Sequence, residues 1–195
     1  MTTADPARPE DSAAVSLYET SNGLTLDYDR IDGTGHSEGL KITSQARDIV
    51  VTVGRLEGGR EDCLDVNNLC RNIKVTAGWR AAGKYLATVK GGSEGIWLEG
   101  FVYRHGTFRD VDFGNWSDQS NNWCKLCSLA LRSLDGTPIR IRCLQAEAPA
   151  LVPGTGPYVF DFPSPLAWYH GIAIWLLQLW WRITRPPAED EDPAR

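Results

Sequence analysis

The chain carries a short repeated pattern between Leu40 and Phe113. Four triplets, each an apolar, a polar and an apolar residue, begin 24, 23 and 24 positions apart. They are Leu40–Ile42, Leu64–Val66, Ala87–Val89 and Val111–Phe113. Alternation over so short a run indicates a strand, because side chains two residues apart share one face. A repeat of about two dozen residues built from short strands is typical of a solenoid.

Stacked coils of this kind predict columns of equivalent side chains. In a parallel β-helix, residues one coil apart lie at the usual spacing of paired strands, about 4.8 Å. A further apolar residue follows seven positions after each of the first three triplets. We therefore expect three buried columns: Leu40, Leu64, Ala87 and Val111; Ile42, Val66, Val89 and Phe113; Ile49, Ile73 and Ile96. The predicted fold is all-β, a parallel β-helix of four to five coils over residues 39–145.

The flanking segments differ from the repeats in composition. Residues 1–14 lack an apolar period and predict a disordered arm, and the acidic residues 186–195 predict a disordered tail. Residues 15–38 hold two short apolar alternations around a turn and predict a strand cap on the first coil. Residues 146–164, rich in Pro, Gly and Ala, predict a linker.

Residues 165–185 predict one apolar α-helix. Its central part, 166–181, has no formally charged residue, but at about 1.5 Å per residue it would be about 24 Å long, short of a bilayer core of about 30 Å. It could be a short membrane anchor, an interfacial helix, or a helix buried against another subunit or partner. Tryptophans spread through its middle favour the protein partner. The predicted docking residues are Trp168, Ile172, Trp175, Leu176, Leu179 and Trp180.

Charge and cysteine usage exclude some classes of function. The net charge of −5 and pI of about 5.2 give no global electrostatic reason to bind nucleic acid. The start of the chain does not look like a signal peptide, and the five cysteines are odd in number, so free thiols in a reducing cytoplasm are expected. Cys124 and Cys127 form a CxxC motif, but no second such motif is present for zinc. We expect the cysteines to fill inward positions, and we predict no metal and no cofactor.

Charged residues cluster around the second triplet and return near the fourth. With equivalent positions stacked, Asp62 lies over Glu38 and on the same track as Arg109, while Asp65 shares a track with Lys41, Thr88 and Asp112. Such carboxylates could bind calcium or act as acid and base on a sugar. The polar position of a triplet faces outward, however, so solvated carboxylates without a task are the favoured interpretation. No catalytic residue is predicted.

A polar and aromatic insertion after Phe113 is the predicted binding site. Tryptophan faces stack on sugar rings or on an apolar ridge of a partner, and amides supply oriented hydrogen bonds. The alternative is that its tryptophans cover the end of the coil stack. The predicted binding residues are Asn115, Trp116, Asp118, Gln119, Asn122 and Trp123.

Several segments carry a resemblance to a known family. GLKITSQARDIVVT, EDCLDVNNLCRNIKVT and SEGIWLEGFVYRHG, followed by DFGNWSDQ and DGTPIRIR, resemble small right-handed parallel β-helix proteins of the pectate-lyase-like superfold, in particular those encoded by bacteriophages and prophages. The resemblance covers about residues 38–145. Larger relatives include polysaccharide lyases and tailspikes with Asp and Arg clusters on a long groove. No such motif matches closely here, so no catalytic role is carried over.

The resemblance implies a non-enzymatic virion structural or attachment protein, made in the host cytoplasm. Its β-helix would be a rigid binding scaffold and its C-terminal helix would dock it to an oligomer or particle. The implied partners are further copies of the chain, with trimers common among phage β-helices of this kind, and other virion proteins. One alternative is a carbohydrate-active protein that acts on envelope polysaccharide. Another is a membrane-associated β-helix module anchored through residues 166–181.

Overall fold

The structure is a computed structural model that describes residues 12–114, 123–144 and 146–161. These residues form an all-β parallel solenoid of about five turns, so the predicted β-solenoid is confirmed. A short 3-10 helix spans Glu19–Ser21. The strands are β1 Ala13–Leu17, β2 Thr25–Asp32, β3 Glu38–Ile42, β4 Arg47–Glu57, β5 Asp62–Val66, β6 Arg71–Arg80, β7 Tyr85–Val89, β8 Ser93–Arg104, β9 Val111–Phe113, β10 Cys124–Lys125, β11 Ser128–Ser133, β12 Ile139–Cys143, β13 Ala150–Leu151 and β14 Tyr158–Asp161.

The strands divide between two parallel sheets. Sheet A has the order β1-β3-β5-β7-β9-β12-β14, and sheet B has the order β13-β11-β8-β6-β4-β2, with β10 also paired to β8. From β1 to β9 the chain alternates between the sheets, so each coil adds one strand to each of them. The register of β3, β5 and β7 follows the predicted repeat, because Leu40 pairs with Leu64 and Leu64 with Ala87.

The core lies between the two sheets and consists of the predicted columns. The side chains of the two sheet A columns are at most 1% exposed, and the same holds for Ile49, Ile73 and Ile96 on sheet B. Four of the five cysteines, Cys63, Cys70, Cys124 and Cys127, pack in this core as expected. Stacking therefore buries one continuous apolar interior that no single coil could bury alone.

The same corner has a left-handed backbone conformation in three successive coils. Ser44 and Gln45, Asn68 and Leu69, and Gly91 and Gly92 occupy equivalent places in three successive coils, and all six have φ between 56° and 76°. A side chain at position 91 would bring its Cβ to 2.5 Å from the amide nitrogen of Asn68. Glycine is needed there for its conformation and for the close approach of the coil below.

Both ends of the described chain extend the stack. β1 pairs with β3 and β2 with β4, so the strands predicted as a cap form the first coil, which begins at Ala13 within the predicted arm. In the predicted linker 146–164, β13 pairs with β11 and β14 with β12, which adds a last partial coil. Its Pro and Gly residues lie largely at corners, while the hydroxyl of Tyr158 donates to the carbonyl of Leu131 at 2.9 Å.

The predicted C-terminal helix, 165–185, and its docking residues lie outside the described residues, as do the tail 186–195 and residues 1–11 of the arm. Those assignments stay predictions. Among residues 12–114, 123–144 and 146–161, no helix is long and apolar enough to cross a membrane.

Candidate functional site

The predicted binding loop is described only at its end. Asn115, Trp116, Asp118, Gln119 and Asn122 lie outside the described residues. Trp123 is 36% exposed, and Lys125 Nζ lies 5.5 Å from the centre of its ring. Its carbonyl accepts a hydrogen bond of 2.8 Å from the Gly92 amide, so Trp123 is fixed beside the left-handed corner.

A column of polar side chains runs across the strands of sheet A. Its members, here called the polar column, occupy successive register positions: Lys41, Asp65, Thr88, Asp112 and Arg142. The predicted track from Lys41 to Asp112 is thus confirmed, but the expectation of solvated carboxylates is wrong, since Asp65 and Asp112 are each 2% exposed. They tolerate burial because neighbours one coil away pair with them. Arg142 Nε donates to Asp112 Oδ1 at 2.9 Å, and Nη2 donates to Oδ2.

Asp65 is the centre of the polar column. One oxygen accepts from Asn67 Nδ2 at 2.6 Å, and the other accepts from Thr88 Oγ1 at 3.0 Å and lies 3.2 Å from Lys90 Nζ. Lys41 Nζ lies 3.8 Å from Asp65 Oδ2. Burial acts to lower the pKa of Lys90, but Asp65 and Asp62 outweigh it and raise that pKa. Asp65 is therefore held by side chains of its own coil and of the two neighbouring coils.

Glu38 and Asp62 form a stacked carboxyl pair beside the polar column. They are register partners, as predicted, and are 6% and 4% exposed. Burial raises the pKa of Glu38 to about 7; Lys41 opposes the rise and Asp65 adds to it. Burial and then the Asp65 carboxylate raise the pKa of Asp62 well above its ordinary value. Glu38 Oε2 and Asp62 Oδ1 have no hydrogen-bond partner within the described part of the chain. The pair can hold a proton near neutral pH, as a general acid does.

The second predicted charge cluster is structural. Asp110 is fully buried, and its carboxylate accepts from the Gly106 amide at 2.9 Å and from the Arg140 amide at 2.8 Å. Arg109 Nη2 lies 2.6 Å from Asp161 Oδ2 on β14. These contacts join the last coils, and the cluster does not come together with the Glu38–Asp62 pair.

Sheet B presents an exposed surface that the sequence analysis missed. The exposed large apolar side chains of β4 and β8, here called the aromatic face, are Val50, Trp97, Phe101 and Tyr103, which are 37%, 39%, 47% and 49% exposed. Lys74 Nζ lies 5.4 Å from the Trp97 ring centre, and the Arg80 guanidinium carbon lies 4.7 Å from that of Tyr103. Side chains alternate between the two faces of a strand, so the residues next to the buried Ile96, Leu98 and Val102 are expected to face solvent. The three aromatic residues of β8 occupy such positions, and their exposure was therefore predictable from the sequence.

The cysteines give no sign of a metal centre in the described residues. All five are free thiols, and no group of three or more His, Cys, Asp or Glu side chains in residues 12–114, 123–144 and 146–161 is arranged to hold a metal ion. Cys70 donates to the carbonyl of Asn67 at 3.0 Å, and burial raises the pKa of this thiol to about 12. A thiol so far from ionisation is a packing residue.

No family profile, no curated protein and no solved structure matches this chain.

Proposed function

We propose that this protein is a non-enzymatic structural or attachment protein, in which the solenoid is a rigid scaffold and the aromatic face of sheet B is the surface that binds a partner. The observation that carries the proposal is the exposure of Trp97, Phe101 and Tyr103 on one face of one strand. Tryptophan, tyrosine and arginine are the residues that most often dominate binding energy at protein interfaces.

The scaffold suits such a role because its faces are held by many parallel pairings. β6 is hydrogen-bonded on both edges, to β4 and to β8, so the side chains of the aromatic face keep a fixed spacing. At about 3.3 Å per residue, Trp97 and Phe101 lie about 13 Å apart along β8. Binding to a preformed face loses little conformational entropy in the scaffold.

The finer assignment is a bacteriophage virion protein with a right-handed, pectate-lyase-like β-helix, made in the host cytoplasm. It rests on the resemblance of residues 38–145 and on the solenoid itself. In this proposal the residues of 165–185 dock the scaffold to an oligomer or to other virion proteins, and the loop ending at Trp123 adds a second contact, to a protein or a glycan.

Density-gradient purification of phage particles from the source strain tests this function. The full chain is expected to co-sediment with particles, and Phe101→Asp is expected to weaken that association because it places a charge in the aromatic face. Val159→Asp is the matched control, since Val159 is 45% exposed but lies on β14 of sheet A. Absence of the wild-type chain from every particle fraction would reject the virion assignment.

A second candidate is a carbohydrate-active protein, and the Glu38–Asp62 pair favours it. A carboxyl with a pKa of about 7 beside a second carboxyl is the composition of an acid–base site for glycosidic bonds. Both groups are nearly fully buried, which makes this the weaker candidate. Release of reducing sugars from envelope polysaccharide, lost in both Glu38→Gln and Asp62→Asn, would establish it. Release that persists in both variants would assign any activity elsewhere.

A further inference from the structure

The outward residues of sheet B form three rows that cross five strands, from β2 to β11. The first row is Thr25, Val50, Lys74, Trp97 and Ser128; the second is Asp27, Thr52, Thr76, Glu99 and Ala130. In the third row, Gly78 pairs with Phe101 and Phe101 with Arg132. A Cβ added to Gly78 would lie 2.5 Å from the Gly54 carbonyl oxygen, and a Cβ added to Gly54 would lie 2.7 Å from the Asp29 carbonyl oxygen. Gly54 on β4 and Asp29 on β2 therefore complete the third row.

We propose that a second copy of the chain covers this face, through a twofold axis that runs parallel to the strands along β6. This inference rests on the proposed function and names the partner of the aromatic face. Such an axis turns the two sheets face to face, keeps their strands aligned and reverses their order. β8 of one copy then lies over β4 of the other, and β11 lies over β2.

The first and third rows become complementary to themselves under this operation. In the first row, Trp97 meets Val50, the two exposed apolar side chains of that row. In the third row, Phe101 meets Gly54, which is exposed and has no side chain to obstruct the ring. An aromatic side chain opposite a glycine gives the close fit that stable interfaces require.

Charge follows the same arrangement. In the third row Arg132 meets Asp29; both are exposed, and neither has an ion-pair partner within residues 12–114, 123–144 and 146–161. The two copies of Lys74 approach each other near the axis. Each is already paired with its own Glu99 at 2.8 Å, which offsets their repulsion.

The size of the face is sufficient for a reversible dimer. Five strands about 4.8 Å apart, with about seven residues each at about 3.3 Å, give about 24 by 23 Å. Two copies would bury about 1,100 Å² in total, just above the threshold for a specific interface of about 1,000 Å². We therefore expect an equilibrium between monomer and dimer that shifts with protein concentration.

Cross-linking of the full-length chain tests the position of the axis. Thr76 lies on the axis, so Thr76→Cys is expected to give a covalent dimer with a short bismaleimide. Thr52→Cys, one strand further from the axis, is the matched control and is expected to give at least fivefold less cross-linked dimer. The unsubstituted chain is the control that shows how much cross-linked dimer the native cysteines give by themselves. Equal dimer yields from the two variants would overturn the proposed axis.

Charge exchange tests the contact itself, by sedimentation velocity over a range of concentrations. Arg132→Asp and Asp29→Arg are each expected to weaken the dimer about tenfold, and the double variant is expected to recover most of the loss. A wild-type chain that remains monomeric at every concentration would overturn the proposal. If the wild-type chain is monomeric while Phe101→Asp still lowers binding to particles, the aromatic face remains the proposed binding surface and only the identity of its partner is wrong. If Phe101→Asp changes neither dimerisation nor binding to particles, both proposals fail.

Discussion

Glu38 and Asp62 are register partners on β3 and β5, so their two carboxyl groups lie one coil apart. Each keeps one buried oxygen without a hydrogen-bond partner in the described residues. Burial disfavours the charged form of each group, and the Asp65 carboxylate adds to this effect, so the folded state favours a bound proton. The unfolded chain, in which both groups are hydrated, has no such preference.

This pair predicts that stability falls as the pH rises. Because folding raises the pKa of Glu38 from 4.5 to about 7, the folded protein binds more protons than the unfolded chain between those values. The contribution is fully present below pH 4.5 and is lost above about pH 7. From Glu38 alone we expect a decrease of at most about 3 kcal/mol in the free energy of unfolding, measured by urea denaturation across this range.

Glu38→Gln is expected to reduce the slope of that pH profile, because the amide cannot titrate, while the raised pKa of Asp62 still contributes. Thr52→Ala, an exposed change on sheet B, is the control and is expected to keep the wild-type slope. A wild-type profile that rises from pH 4.5 to pH 7 would contradict the assignment of a raised pKa to Glu38.

Asp65→Ala is expected to destabilise the solenoid by about 3 to 5 kcal/mol, because it leaves buried partners of the carboxylate unpaired. Thermal or urea denaturation measures the loss. The comparison is Glu61→Ala, which removes an exposed ion pair with Lys84 and is expected to cost less than about 1 kcal/mol. Similar losses in the two variants would show that Asp65 is not the centre of the polar column.

Ile73→Ala is expected to cost about 2 to 5 kcal/mol, since it opens a cavity in the middle of an apolar column. Ile73→Val removes one methylene and is expected to cost about 1 kcal/mol. The neighbouring outward change Lys74→Ala is expected to stay within about 0.5 kcal/mol. Reversal of this order in denaturant unfolding would mean that the inward and outward positions of β6 are assigned the wrong way round.

Gly91→Ala tests the close approach at the left-handed corner. Gly136 also has positive φ, but a Cβ there meets no atom within 4 Å, so Gly136→Ala reports conformational strain alone, about 1 kcal/mol. Gly91→Ala adds the clash with Asn68 and is expected to cost at least about 1 kcal/mol more. Equal losses of stability would indicate that the coils are free to separate at this corner.

Short-range pattern was a reliable guide to the strands but a poor one to the ends of the stack. The predicted linker 146–164 contains β13 and β14, although its Pro and Gly content argued for irregular chain. Those residues serve as corners, and two-residue and four-residue strands are too short to show periodicity. The pairing of β14 with β12 stabilises it, and that pairing is a contact between residues far apart in sequence.

The inward-facing residues were predictable from the sequence, because a spacing of 23 or 24 residues and an alternation of two assign each residue to a coil and to one side of its strand. The sequence also placed Asp62 on Glu38 and Asp65 on Lys41. The fold was needed to show that Asp65 and Asp112, which occupy the outward position of their triplets, are buried. Hydration and charge depend on neighbours that folding brings together, and these neighbours come from other coils.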